Sequence, residues 1–237
     1  MIDRFVIVQA SSLKEKLEMM NVNKNVNSIA SIDIVNFYPS VSYQMIEKAV
    51  WHFAKKIKGI ERERLKTGLK LLKTGMSKQI VQFDGTYYKY KGNDPNDPGL
   101  TIGGYESAFG SDLVVSMLFD IIKPKLFTQI KLHNSINPQK LILNEIYRDD
   151  GILITKTKWT IPMFEEWINK FQQKVNNILG SDKLQFTLDI WELDDATTPS
   201  TNPKVSINSK NEFPFLDIKL YWNTNDELEF EVYFKKN

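Results

Sequence analysis

Asp149 and Asp150 stand side by side between two apolar runs, with Leu141-Ile142-Leu143 and Ile146 before them and Ile152-Leu153-Ile154 after. Runs of this kind around a polar tip predict a hairpin of two buried strands with both carboxylates at its turn. Adjacent carboxylates in a low-dielectric pocket repel each other, and a divalent cation relieves that repulsion. In water the same dipeptide is only a solvated turn, so the pair alone leaves both readings open. A third acid, Asp33, lies in Ser31-Ile32-Asp33-Ile34-Val35, which reads as another buried strand leading through Phe37-Tyr38 to a helix start at Pro39-Ser40. Asp33 and Asp149 are 116 positions apart. Only neighbouring strands of one sheet bring such positions together, and a βαβ-like order of elements is the expected way.

Asp33 with Phe37-Tyr38-Pro39-Ser40, then the glycine-centred Gly99-Leu100-Thr101-Ile102-Gly103-Gly104-Tyr105-Glu106-Ser107, then Tyr147-Arg148-Asp149-Asp150, resembles in order the A, B and C motifs of reverse transcriptases. Phe213-Pro214-Phe215-Leu216-Asp217-Ile218-Lys219-Leu220 is similar to a segment that follows the palm in Penelope-like and related, divergent or non-LTR, retroelement enzymes. The resemblance covers about residues 28 to 235. It implies an α+β polymerase palm, an RRM-like or ferredoxin-like antiparallel sheet backed by helices, with reduced fingers and no complete thumb. Its segments would be a fingers remnant over 1–28, the palm over 29–195, and a C-terminal hairpin region over 196–237. The implied activity is RNA-directed DNA polymerisation. A primer 3′-hydroxyl attacks the α-phosphate of a deoxynucleoside triphosphate on an RNA or DNA template, with two Mg²⁺ or Mn²⁺ ions roughly 3.5–4 Å apart. The resemblance makes Asp33, Asp149 and Asp150 the metal-binding catalytic acids and adds the carbonyl of Ile34 as a ligand. It places Ile34, Phe37, Tyr38, Gly103 and Gly104 at the nucleotide, with the Tyr38 ring excluding a ribose 2′-hydroxyl.

Several residues keep a plainer reading. Tyr38 is otherwise a core tyrosine, and Gly103-Gly104 a strand-to-helix turn whose glycines leave backbone N–H groups at a helix start. Family motifs at that place read Gly-Ser-Pro or Gln-Gly, which Gly103-Gly104-Tyr105-Glu106-Ser107 does not match. Asp217 is either a further acid or a structural turn near the primer grip. Arg148 receives no role, and His52 and His133 are isolated.

Composition narrows the chemistry. The 237 residues suffice for a sizeable core, and no cysteine is present, which removes disulfides and thiolate metal sites and leaves oxygen ligands. Net charge is only +2, so the whole-molecule field makes no case for nucleic acid; the groups Lys55, Lys56, Lys58 and Lys66, Lys70, Lys73 read equally well as solvated helix faces. With no apolar run of 18 residues and no signal-peptide layout, a soluble, intracellular protein without a membrane partner is expected.

Around the motifs, Phe5-Val8 and a helix from Ser11 or Ser12 to Met20 are expected first. A helix capped by Ser42 follows, with Met45, Ile46, Ala49, Val50, Phe53 and Ile57 on its apolar face, then a helix over Glu61–Thr74. Ile80–Phe83, Asp84-Gly85 and Thr86–Tyr90 predict an aromatic-basic hairpin, because Asp-Gly suits a type I′ turn. A helix over Ala108–Ile122 presents Leu113, Met117, Leu118 and Ile121, and an irregular stretch over 123–140 contains two prolines. A helix from Ile161-Pro162 to Leu179, closed by Gly180, precedes an alternating strand over Leu184–Ile190 and a Thr/Pro/Ser-rich loop, and a last hairpin turns at Asn223–Asp226. Two other outcomes stay open: a domesticated or truncated relative that binds nucleic acid or a protein without polymerising, and a polymerase that copies DNA or needs no template. Fingers and thumb would then come from further domains or chains.

Overall fold

A computed structural model describes Glu15, Leu17 and residues 28–92, 94, 96–104, 106–129, 141–147, 149–155, 158–191, 200, 202–208, 212–216, 218–225 and 228–232. The expected Phe5–Val8 run, most of the helix at 11–20, His133, Arg148 and Asp217 lie outside the described residues. The chain forms two compact units interleaved along the sequence: residues 1–34, 122–174 and 185–237 make the first, and 35–121 with 175–184 the second.

The first unit is built on a five-stranded sheet. β1 (Ser28–Val35), β4 (Leu141–Tyr147), β5 (Asp150–Thr155), β6 (Gln185–Trp191) and β7 (Val205–Asn208) lie in the order β4-β5-β1-β6-β7. β1 and β5 are antiparallel, from Ser28↔Thr155 to Ile32↔Gly151. The expected βαβ crossover is therefore not what joins the two aspartate strands; an antiparallel pairing does. β6 and β7 run parallel, Leu188↔Val205 to Trp191↔Asn208, so the sheet is mixed. Alternation assigns the two faces. Phe186, Leu188 and Ile190 are buried on one side, where Phe186 meets Phe171 of α5 (Ile161–Leu179) edge-on at 5.0 Å between ring centres, and Trp167 stacks on Phe171. The Gln172 side chain accepts the Phe186 N–H at 2.9 Å and so satisfies a donor inside this packing. On the opposite face Ile29, Ile152 and Ile154 join Leu17 and the apolar side chains of a three-stranded sheet, β8 (Glu212–Phe215), β9 (Ile218–Trp222) and β10 (Leu228–Val232). Trp191 of β6 meets Phe213 there at 4.8 Å.

The second unit begins where β1 ends. Asn36 takes a left-handed φ of 48°, and α1 (Phe37–Ser40) is a single turn. α2 (Tyr43–Ala54) is capped as expected, the Ser42 hydroxyl accepting the Met45 N–H. It stops at Ala54, so Ile57 falls past its end and is 56% exposed instead of joining the apolar face. His52 is not isolated: its ring meets Asp120 at 2.6 Å, and Lys56 reaches the same carboxylate. Burial pushes the Asp120 carboxyl up, but the hydrogen bonds from Lys56 and His52 hold it below its ordinary value. α3 (Arg62–Ser77) precedes the hairpin of β2 (Ile80–Phe83) and β3 (Thr86–Lys89), turned by Asp84 and Gly85 with both φ angles positive. α4 (Ser107–Gln129) buries Val114, Val115, Met117, Leu118, Phe119 and Ile122, while Leu113 and Ile121 are only half-buried and Phe109 is exposed. It also continues through Pro124, where a break was expected. Proline's φ is helical and its ring costs one backbone bond, so a helix can run on for a further turn.

Candidate active site

Asp33 lies on the face of β1 that alternates away from buried Ile32 and Ile34, and it is exposed. The pairing of β1 with β5 runs to Ile32↔Gly151, and that of β4 with β5 to Tyr147↔Asp150. One step further, β1 reaches Asp33 at the level of Asp150. Asp150 is thus the first residue of a strand and not, as expected, part of the tip; only Asp149, half-buried, sits in the turn. Proximity shows in the charge of Asp33. Nearby protein strips water from its carboxyl and raises its pKa, the Ile34 N–H bonded to it lowers it, and the negative charges of Asp149 and Asp189 raise it again. The net shift is upward.

Asp189 was not singled out from the sequence. It lies on the exposed face of β6, its pKa is raised by desolvation, and it accepts a hydrogen bond from the Ser206 hydroxyl on β7. The signal available was the wet-face alternation of Gln185, Thr187 and Asp189, which marks a face but not a neighbour. The first unit therefore gathers Asp33, Asp149 and Asp189 by pairing strands from three distant stretches. A set of carboxylate oxygens matches the donor chemistry of Mg²⁺ or Mn²⁺. Among the described residues, however, no three His, Asp or Glu side chains are already close enough to hold one ion by themselves. Ile34, the expected carbonyl ligand, has a buried side chain, and its N–H is the group directed at Asp33.

Of the five expected nucleotide-binding residues, Ile34 belongs to the first unit, whereas Phe37, Tyr38, Gly103 and Gly104 fall in the second, where the structure brings the loops of these four together. Phe37 is buried and Tyr38 half-buried, with ring centres 5.4 Å apart. The Tyr38 carbonyl accepts the Leu100 N–H at 3.0 Å, tying α1 to the glycine loop. Gly99, at φ 76°, lies so close that a Cβ there would stand 2.1 Å from the Pro39 carbonyl oxygen. Gly103 is exposed with φ 82° and open space around it. The Gly104 N–H is bonded to the Thr101 carbonyl at 3.2 Å, so it is not one of the free donors expected at the helix start. Among the described residues no helix is long and apolar enough to cross a membrane.

No protein-family model matches the chain, and no curated protein matches it. Its fold is shared with solved structures. The structure of apo telomerase from Candida tropicalis, truncated from the C-terminal domain, superimposes with a TM-score of 0.57 at 12% identity. That of telomerase from Candida albicans in complex with the TWJ fragment of telomeric RNA gives 0.58 at 14%. Each alignment covers 98% of this chain but only 41% and 36%, respectively, of the telomerase chain. The mixed α+β architecture, with antiparallel sheets and packed helices, is thus one found within telomerases.

Proposed function

We propose that the chain is a reverse-transcriptase-like nucleotidyl transferase, adding deoxynucleotides to a primer 3′-hydroxyl on an RNA or DNA template. The observation that carries the reading is the nearness of Asp33 on β1 to the Asp149 turn, whose negative charge adds to burial in raising the Asp33 pKa. Shared fold with telomerase, a reverse-transcriptase-related enzyme, supports it, and one neighbour holding a fragment of telomeric RNA fits a nucleic-acid partner. Asp33, Asp149 and Asp150, with the Ile34 carbonyl, would hold two Mg²⁺ or Mn²⁺ ions, and the ions supply charge stabilisation at the α-phosphate and the leaving pyrophosphate. Phe37 and Tyr38 would lie under the sugar, where the Tyr38 ring selects against a 2′-hydroxyl, and the loop of Gly103 and Gly104 would face the base pair. This is the arrangement of a polymerase palm, and the Phe213–Leu220 segment favours a Penelope-like or related branch.

A second reading is a relative that binds nucleic acid or a protein without polymerising. The lack, among the described residues, of three acids close enough to grip an ion favours it. Primer extension on matched RNA and DNA templates, with Mg²⁺ and then Mn²⁺, separates the two. The first reading expects metal-dependent extension that Asp149→Ala abolishes; duplex binding with no extension by the wild type would establish the second.

A further inference from the structure

The basic residues of this chain are not spread evenly. Residues 55–91 hold eleven Lys and Arg against Glu61, Glu63 and Asp84, a net +8, which leaves −6 on the rest of a chain whose total is +2. All of this stretch belongs to the second unit, and all eleven cations are exposed. Glu61 and Glu63 engage Arg64 and Lys66, so the acids neutralise little of the excess.

The same stretch carries most of the large exposed apolar side chains among the described residues. Every residue of β2 and β3 is exposed, with Ile80 at 68%, Phe83 at 73%, Tyr87 at 71% and Tyr88 at 54%. Directly paired residues share a face: Val81↔Tyr88 and Phe83↔Thr86 on one, Ile80↔Lys89 and Gln82↔Tyr87 on the other. A two-stranded ribbon of this length is marginal in water by itself. It is held at its root, where Tyr90 N–H bonds the Gln79 carbonyl and the buried Gln79 amide reaches the Gly99 carbonyl. Ahead of α3, Trp51, Lys55, Ile57, Arg62 and Lys66 line a cleft of about 590 Å³.

We propose that residues 55–91 form a binding surface for single-stranded nucleic acid, with bases stacking on the hairpin aromatics and phosphates held by the cations of α3 and the cleft. Flat ring faces interleaved with lysines serve unpaired bases, whereas a duplex keeps its bases stacked inside. Excess positive charge on an otherwise negative chain selects a polyanion. The surface shares no residue with the acid site, so it stands whether or not that site polymerises.

The test is fluorescence anisotropy of the full chain with labelled 20-nucleotide oligothymidylate and oligouridylate, in EDTA, over a range of KCl. The wild type binds, with affinity falling steeply as salt rises. The double variant Phe83→Ala/Tyr87→Ala weakens binding by about tenfold or more. Arg62→Gln/Lys70→Gln flattens the salt dependence by roughly 1.4, about 0.7 per charge removed. Asp149→Ala binds as the wild type does, so loss of extension and loss of this surface are read separately. The four side chains substituted in the two double variants are exposed, and unchanged circular dichroism melts verify the fold. Binding unaffected by either double variant, no oligonucleotide binding by the wild type, or wild-type self-association that Phe83→Ala/Tyr87→Ala abolishes would each overturn the proposal.

Discussion

The two compact units handle charge in opposite ways. In the first, carboxylates from β1, the β4–β5 turn and β6 are drawn together by strand pairing, and burial, with the charges of Asp149 and Asp189 added, holds the Asp33 pKa above its ordinary value. In the second, eleven cations lie within one contiguous stretch of 37 residues and stay apart in solvent. Gathering like charges costs free energy that the fold must offset, so a gathered set implies a partner of opposite sign. Dispersed surface charge costs little, and its meaning rests on what surrounds it, here the bare rings of the hairpin.

Breaking the first unit's site has the largest expected effect. If the proposed activity holds, Asp149→Ala lowers primer extension by at least about 10³-fold, because a carboxylate that would hold an ion is removed. Steady-state incorporation with Mg²⁺ measures it. Next is the packing that holds β6 in register beside β1. Phe171→Ala leaves a cavity between Trp167 and Phe186 and destabilises by about 3–5 kcal/mol, read from urea unfolding.

The second unit depends on backbone fit where its loops meet. Gly99→Ala sets a Cβ against the Pro39 carbonyl at a left-handed φ and costs about 1–3 kcal/mol or more. Gly103→Ala meets open space and costs only the backbone strain, so the ordering of the two variants sharpens the contrast between a packed glycine and an exposed one. The smallest effect concerns Asp33→Asn. Folding raises this pKa, so the folded chain binds the proton more tightly than the unfolded one. The contribution of Asp33 to stability is therefore fully present below its unfolded pKa and is lost as pH rises through the raised value. At neutral pH the exposed amide raises the melting temperature by no more than about 2 °C, and below pH 4 by nothing.

How much was legible follows the same division. Asp33, Asp149 and Asp150 stood out because each interrupts an apolar run, and the hairpin because Asp84-Gly85 suits its turn. Their adjacency was not legible locally; it needed β5 beside β1, a pairing of residues 119 to 127 positions apart. Asp189 looked like any wet-face residue until β6 was placed next to β1. β7 was missed because four residues after Pro203 carry too short an alternation, and its parallel partner lies in another stretch. Pro124 misled because a proline stops a helix only when losing one backbone bond outweighs the burial around it.

The most direct measurement is a carboxyl-carbon NMR titration of Asp33 without and with saturating Mg²⁺. Without the ion, Asp33 titrates above its ordinary carboxylate value; with Mg²⁺ the titration moves well below it, and Asp149→Ala removes the response. An Asp33 that titrates normally and ignores Mg²⁺ would contradict a cation site at this end of the sheet.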